Sequence, residues 1–322
     1  MRTKGAFVLG GVVLVASLAI LTADAAQHSE AATDTPRFRS GVDVVALDVC
    51  VRDRLGRPVN GLTAADFLVL DNGVPQQLTL FVSGPRLPLA VTLVIDRSSS
   101  MSGLKLDRVR EAALAFLDVL QPDDLVEVLM FNERVDRRVA FGADRAAAAA
   151  AVTDISAVGQ TGLWEALVVA LRDFQRDARI NTSAEYRRAI VLVTDGDDSS
   201  SRITFEDVLE DVRHDGVVVY AVSLRADEHD RALPPSWQLA TLATDTGGVA
   251  FSAQDPPVLA SVLGAIAGEL RQLYRVAYVP NALPRDGAWR PVSVRLASPD
   301  LRARTRAGYY APRPTMWRGS QP

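Results

Sequence analysis

The sequence predicts an α/β protein: a doubly wound, mostly parallel sheet with a small β-rich domain built from the N- and C-terminal flanks. Three observations lead there. Segments 89–95, 189–194 and 217–224 are near-continuous apolar runs, as strands covered on both faces are. Segments with helical spacing lie between them. Residues 37–86 and 271–311 instead carry short alternating runs broken by turn signals.

Composition narrows the class. The 322 residues suffice for one large domain or two smaller ones. At 48% apolar and 23% charged, the chain is neither a disordered tail protein, a collagen-like repeat nor a polytopic membrane protein. Lys+Arg 35 against Asp+Glu 39 gives a net charge of −4, so no nucleic-acid partner is expected. A single cysteine excludes an intramolecular disulfide and a Cys-based zinc cluster. His28, His214 and His229 are too scattered for a multi-histidine metal site.

Residues 1–25 read as a secretory signal peptide. Arg2 and Lys4 precede a small-and-apolar stretch, 5–21, and an Ala-x-Ala site follows at Ala23-Asp24-Ala25. Cleavage is expected after Ala25, with Ala26 as the alternative; an uncleaved N-terminal anchor is the other reading. Loss of Arg2, Lys4 and Asp24 makes the mature charge −5. No other run is long and apolar enough to span a bilayer. The expected location is secreted or periplasmic, in the cell envelope. Residues 26–36 form a flexible leader, and 312–322 a disordered tail.

The N-terminal β-rich part, 37–86, starts with a period-two strand. Val45, Leu47, Val49 and Val51 alternate with Ala46, Asp48, Cys50 and Arg52, so Cys50 is expected as a small unpaired side chain. Leu55-Gly56-Arg57-Pro58 marks a turn, and Thr63 with Asp66 a capped helical turn. Strands at 67–70 and 77–81 are joined by Asp71-Asn72-Gly73, a hairpin signal. So small a block has too little apolar surface to fold alone. Residues 273–279, 291–296 and 303–308 are the strands expected to pair with it. In 88–270, strands at 89–95, 125–131, 135–141, 189–194, 217–224 and 249–252 alternate with helices at 106–120, 144–155, 162–176, 205–214, 237–243 and 257–270.

Two of these strands end alike. Residues 91–95 run into Asp96, and residues 190–194 into Asp195. In doubly wound folds ligands bind outside the carboxyl ends of the strands, at the switch point. After Asp96 comes Arg97-Ser98-Ser99-Ser100. In an extended turn alternate residues point the same way, so Asp96, Ser98 and Ser100 can face one point. Carboxylates and hydroxyls without sulfur or imidazole suit a hard cation such as Mg²⁺. The set is sparse and leaves coordination positions open, through which an outside carboxylate can be recruited.

Asp96-x-Ser98-x-Ser100, then Thr161 in Gln160-Thr161-Gly162-Leu163, then Asp195 in Val193-Thr194-Asp195-Gly196, resembles the metal-ion-dependent adhesion site (MIDAS) of von Willebrand factor type A (VWFA) domains. The resemblance covers roughly 88–270, which it marks as a Rossmann-like type A domain. The flanks are similar to the "VWFA-related" proteins of acidobacteria: Val49-Cys50-Val51-Arg52-Asp53, Gly56-Arg57-Pro58-Val59, Leu62-Thr63-Ala64-Ala65-Asp66-Phe67 and Asp71-Asn72-Gly73 at one end, Tyr274-Arg275-Val276-Ala277-Tyr278 and Arg304-Thr305-Arg306-Ala307-Gly308-Tyr309-Tyr310 at the other. The resemblance implies one Mg²⁺ (or Mn²⁺ or Ca²⁺) ion. Ser98, Ser100 and Thr161 would ligate it directly, and Asp96 and Asp195 mostly through water.

Other features have competing readings. Asp197-Asp198-Ser199-Ser200-Ser201 is a solvated loop, or an acidic rim, or a second cation site. Arg97 should point away from the ion. Trp164 is a packing anchor, or with Glu165 a ligand contact. Tyr309-Tyr310 ends a strand of the β-rich part. There is no Gly-x-Ser-x-Gly elbow, no His-Glu-x-x-His and no P-loop, so no enzyme is expected. The expected function is an exported adhesion-type protein whose ion engages an exposed Asp or Glu of a protein partner. The alternatives are a structural scaffold of an envelope assembly, steadied by metal, and a metal-dependent hydrolase.

Overall fold

The computed structural model describes residues 44–84, 87–181, 185–196, 198–225, 234–253, 256–280, 284 and 286–313. The expected signal peptide and leader, and most of the expected tail, lie outside these residues. All described residues fall in one compact unit.

The chain opens with β1 (Val45–Arg52), a 3-10 turn at Ala64–Asp66, the hairpin strands β2 (Phe67–Asp71) and β3 (Val74–Gln76), and β4 (Leu78–Val82). Next come β5 (Leu89–Asp96), α1 (Leu104–Asp118), β6 (Leu125–Phe131), β7 (Val135–Gly142), α2 (Arg145–Thr153), α3 (Leu163–Arg176) and α4 (Ala178–Asn181). Then follow β8 (Arg187–Thr194), α5 (Phe205–Asp215), β9 (Val218–Ser223), α6 (Trp237–Thr246), β10 (Ala250–Ser252) and α7 (Pro256–Gln272). The last strands are β11 (Tyr274–Tyr278), β12 (Trp289–Leu296), β13 (Arg302–Arg304) and β14 (Gly308–Tyr310).

The central sheet runs β10-β9-β8-β5-β6-β7 and is parallel except for the edge strand β7. Every residue of β5 is buried, because both faces are covered. Val91, Leu93 and Ile95 face one layer with Val109 and Phe116 of α1, Val152 of α2 and Leu263 of α7. Ala90 and Val94 face the other, with Leu167 and Phe174 of α3, Val208 of α5 and Leu242 of α6. Each such leucine or phenylalanine stabilises the fold by about 1.5–3 kcal/mol relative to exposure.

The flanks form two four-stranded antiparallel sheets, β13-β1-β11-β4 and β14-β12-β2-β3, packed over a shared apolar layer. The alternation in β1 sorts its residues. Val45, Leu47, Val49 and Val51 face the layer between the sheets. Three of the even positions turn toward the α/β body: Asp48, which accepts from Arg275 of β11 at 2.8 Å, lies 3.9 Å from Arg187 of β8, Cys50 enters the core of the central sheet, and Arg52 pairs with Glu269 of α7. Cys50 is free and buried, and burial pushes its thiol pKa up, which suits the inert reading.

The expected strand at 77–81 is β4, and an unexpected strand, β3, precedes it in the other sheet, so the chain changes sheets at Gln77. Asn72 and Gly73 both have positive φ, 49° and 80°, so the chain reverses at once and Val74 pairs with Asp71. Pro75 is tolerated because β3 is an edge strand. Residues 303–308 split into β13 and β14 of opposite sheets, as chains do at sandwich corners. The helical turn α4 was not expected.

A buried network joins the sandwich to the α/β body. Glu269, 3% exposed, accepts from Arg52, Arg304 and the Tyr220 hydroxyl. Burial opposes its charge, but the two guanidiniums and the hydroxyl hold its pKa below the usual range. Arg187, the first residue of β8, caps the end of α7, donating to the carbonyls of Leu270 at 3.0 Å, Arg271 at 3.2 Å and Leu273. Removing one partner of such a network leaves buried charge uncompensated. Glu269→Ala should therefore lower unfolding stability by about 3 kcal/mol in denaturant titration; a loss within 0.5 kcal/mol, roughly the effect of a surface substitution, would contradict this.

Glu127 of β6 gives a pH dependence. It is 1% exposed, accepts the Thr92 hydroxyl at 2.8 Å, and shares Arg137 with Asp173 of α3. Burial, reinforced by the Asp173 carboxylate, pushes its pKa from 4.5 up to about 8, against the pull of Thr92 and Arg137. A carboxyl whose folded pKa is raised stabilises fully below its unfolded pKa and loses that contribution as pH rises through the folded one. Glu127→Gln removes the titration. The variant should gain on the order of 2–4 kcal/mol over the native chain between pH 5 and pH 9, read as the difference in unfolding free energy. A difference constant across that range would refute the shifted carboxyl.

Candidate metal centre

Strand β5 leads to α1 on one face of the sheet, and its other neighbour, β8, returns from α3 on the opposite face. The carboxyl ends of β5 and β8 therefore flank the switch point. Ile95 pairs with Val193, which sets Asp96 beside Thr194 and Asp195.

Asp96 is completely buried. Its Oδ1 accepts the Ser98 N–H at 2.8 Å and its Oδ2 the Thr194 hydroxyl at 2.6 Å. Burial raises its pKa above the usual carboxylate value; Thr194 and Ser98 oppose the rise and Asp195 adds to it. The chain then turns through a 3-10 turn at Ser99–Met101, with Met101 fully buried beneath it. Main-chain bonds pin this turn: Arg97 N–H to Phe131 O at 2.8 Å, Ser99 N–H to Gly159 O at 2.9 Å, and Val158 N–H to Arg97 O at 2.8 Å. The Ser98 and Ser100 hydroxyl oxygens lie 3.0 Å apart, and Ser100 donates to Asp195 Oδ1 at 2.8 Å. Four of the five expected residues thus form one connected patch of oxygens, from the buried Asp96 to the exposed Ser100.

Thr161, the fifth, is 6% exposed. Its hydroxyl oxygen would stand 4.0 Å from a Cβ placed at Gly196, beside the residue that follows Asp195. No direct bond joins it to the other four. Its backbone is held instead: its N–H donates to Ser199 Oγ at 3.1 Å, and its carbonyl accepts from Ser199 and Ser200 at 2.9 and 3.0 Å. Gly162 donates to Asn132 O at 2.7 Å, and a Cβ there would come within 2.9 Å of that oxygen, so the close approach requires glycine.

The segment after Asp195 has a role that none of its three readings named. Asp198 Oδ1 accepts the Leu163 N–H at 2.8 Å, Ser201 Oγ the Trp164 N–H at 3.0 Å, and Glu165 Oε1 the Arg202 N–H at 2.5 Å. Asp198 and Ser201 thus cap the first turn of α3 from a distant part of the chain, and Glu165 of that helix holds the capping segment in return. Asp197 lies outside the described residues. Trp164 is buried against Phe205, ring centroids 5.5 Å apart, as a packing anchor. Arg97 lies close enough to Glu133 to stabilise its carboxylate. Tyr309 lies on β14 and donates to Asp71 at 2.7 Å.

Sequence reading missed two contributors. One is Thr194, which orients Asp96. The other is Lys105 of α1, whose ammonium pairs with Asp195 Oδ2 and lies 3.3 Å from the Ser100 carbonyl. Nine positions separate Lys105 from Asp96, so only the helix start after the 3-10 turn brings it back. The available signal was composition: among the 35 basic residues, only Lys4 and Lys105 are lysines.

The donor set fits a hard dication. All the side-chain donors are oxygens, and three are neutral hydroxyls. Neighbouring ligands of an octahedral Mg²⁺ lie about 2.9 Å apart, given metal–oxygen bonds of 2.0–2.1 Å; the 3.0 Å between the Ser98 and Ser100 hydroxyl oxygens matches. Among the described residues, no cluster of three or more His, Cys, Asp or Glu side chains could hold a metal, so softer or more caged sites have no support there.

A family model described as von Willebrand factor type A domain matches residues 90–264. An uncharacterized protein of Synechocystis sp., sll0103, is 33% identical over 142 residues, 40% of this chain and 32% of that protein. Inter-alpha-trypsin inhibitor heavy chain H3 of Mesocricetus auratus is 32% identical over 136 residues, 40% of this chain and 15% of the relative. The matched region spans a third or less of these relatives' length. A solved structure described as von Willebrand factor type A from Catenulispora acidiphila superposes with a TM-score of 0.50 at 14% identity, over 85% of this chain and 75% of that one, a likeness of fold. The family model spans more than half of the chain, and the chain belongs to the von Willebrand factor type A domain family.

Proposed function

We propose that this protein is a binding protein that uses one divalent cation, Mg²⁺ or Mn²⁺, to capture an acidic group of a protein partner. Ser98, Ser100 and Thr161 would hold the ion through their hydroxyls, with Asp96 and Asp195 contributing charge. The observation that carries the reading is the pair of hydroxyls, Ser98 and Ser100, at octahedral ligand spacing beside the Asp195 carboxylate on the switch point of the sheet. Domains of this family are commonly metal-dependent protein-interaction modules. When bound, the ion supplies a positive centre that the neutral hydroxyls do not quench, so a partner carboxylate can complete its coordination.

Binding rather than hydrolysis is favoured by Asp96. Both of its carboxylate oxygens are engaged, by the Ser98 N–H and the Thr194 hydroxyl, which leaves it poorly placed as a nucleophile. The sandwich supports the same reading. It joins the α/β body around Arg187, at the start of β8, whereas Asp195 follows that strand's last residue. Eight residues of strand separate the two by roughly 26 Å. The junction therefore lies at the base and the candidate site at the opposite rim. Residues 1–25, read as a secretory signal, support a secreted or periplasmic location in the cell envelope, where such capture would serve adhesion.

Calorimetry with Mn²⁺ tests the site. The native chain should bind one ion, and Asp96→Ala combined with Ser98→Ala should weaken binding at least tenfold, a loss of about 1.4 kcal/mol or more. Equal affinity in both ends the proposal. Capture of envelope proteins on the immobilised chain should be reversed by EDTA; capture that survives EDTA would favour the scaffold role.

A further inference from the structure

We infer that Lys105 is a built-in counter-cation of the metal centre, holding Asp195 until a divalent cation displaces it. The inference rests on the metal site proposed above and concerns a residue outside its five ligands.

Two observations carry it. The first is geometric. Asp195 has a side chain only 2% exposed, and its two oxygens are divided: Oδ1 takes the Ser100 hydroxyl, Oδ2 the Lys105 ammonium. The same ammonium reaches the Ser100 carbonyl at 3.3 Å. Among the described residues, Lys105 is the only cationic side chain paired with Asp96 or Asp195. The second is compositional. The chain has 33 arginines and two lysines, and Lys105 is the only lysine after residue 4. Among the described residues, every other Lys or Arg salt bridge uses arginine; this one uses lysine. An ammonium is a compact point charge with three donors and resembles a small hydrated ion; a guanidinium is a planar fork that suits flat bidentate pairing.

The consequence follows from charge. An ammonium and a dication sharing one buried carboxylate repel each other at short range. Lys105 must leave Asp195 when the ion arrives, and it has a route, since its side chain is one-third exposed at the rim. Without an ion, the lysine balances Asp195 and keeps the loops after β5 and β8 together. The cost is a weaker affinity for the ion, which makes loading reversible. Asp195 is thus shared in turn between two cations, one carried by the chain and one drawn from solution.

Amine acetylation followed by peptide mass spectrometry reads this directly in the native chain, because one peptide reports Lys105. Acetylation should be several-fold faster in Mn²⁺ than in EDTA, and Asp96→Ala with Ser98→Ala should abolish the difference. Calorimetry adds a second reading: Lys105→Met should bind Mn²⁺ about tenfold more tightly than the native chain, as expected when a partly buried competing ion pair is removed. In EDTA the same variant should melt at a lower temperature than the native chain. If the native chain binds Mn²⁺ but Lys105 reactivity does not rise, or if Lys105→Met binds no more tightly, the inference falls and the metal site stands. If neither chain binds Mn²⁺, both fall. Binding by Lys105→Met alone would show the counter-cation in its strongest form.

Discussion

A carboxylate with no solvent exposure has to be satisfied by the protein itself, and Asp96 is such a group. Its two partners come from opposite directions. The Ser98 N–H fixes the turn that follows β5, and the Thr194 hydroxyl fixes the end of β8. One buried side chain thus sets the positions of both segments that carry the remaining donors. Moving it would leave a charge unpaired in a core where every neighbouring strand residue is buried. The rim is held in place by what lies beneath it.

The rest of the fold divides the labour between the two ends of the sheet. At the base, Arg187 and Glu269 tie α7, β1 and β13 together with charge-assisted hydrogen bonds. At the rim, hydroxyls and main-chain groups predominate, and the ion pair present there joins a flexible lysine stem to Asp195. The difference is physical. Guanidinium pairs in a dry junction are costly to break, whereas neutral hydroxyl donors exchange partners cheaply, as a site that takes up an ion from solution requires.

Much of this was legible in the sequence because it rests on local signals. The buried parallel strands are apolar runs, the hairpin has Asn72 and Gly73, and the 3-10 turn at Ala64–Asp66 begins at the Thr63–Asp66 capping box. The five site residues share a spacing that places them at strand ends and loop starts. What escaped depends on meetings between distant segments. The capping of α3 by Asp198 and Ser201 joins residues about 35 positions apart, and nothing local to either marks it. The division of residues 303–308 between sheets was equally hidden, because the run reads well enough as one strand and only the partner strands decide where it breaks; β3, three residues long, was too short to announce itself. Lys105 was overlooked because a lysine on a surface helix is ordinary; its meaning lies in the arginines around it.

The capping of α3 also explains how Thr161 can belong to a site it does not touch through hydrogen bonds. The Thr161 carbonyl and N–H are bound by Ser199 and Ser200, and the first two N–H groups of α3, those of Leu163 and Trp164, are bound by Asp198 and Ser201. The segment that begins with Asp195 therefore carries the Thr161 loop with it. The turn that carries Ser98 and Ser100 is tied to the same loop, through Ser99 N–H to Gly159 O and Val158 N–H to Arg97 O, and Gly162 N–H binds Asn132 O at the end of β6. The Ser100–Asp195 bond and the Lys105–Asp195 pair close the ring between the turn after β5 and the segment after β8. Asp195 is thus held from both sides of the switch point, and the three loops that carry the five residues brace one another.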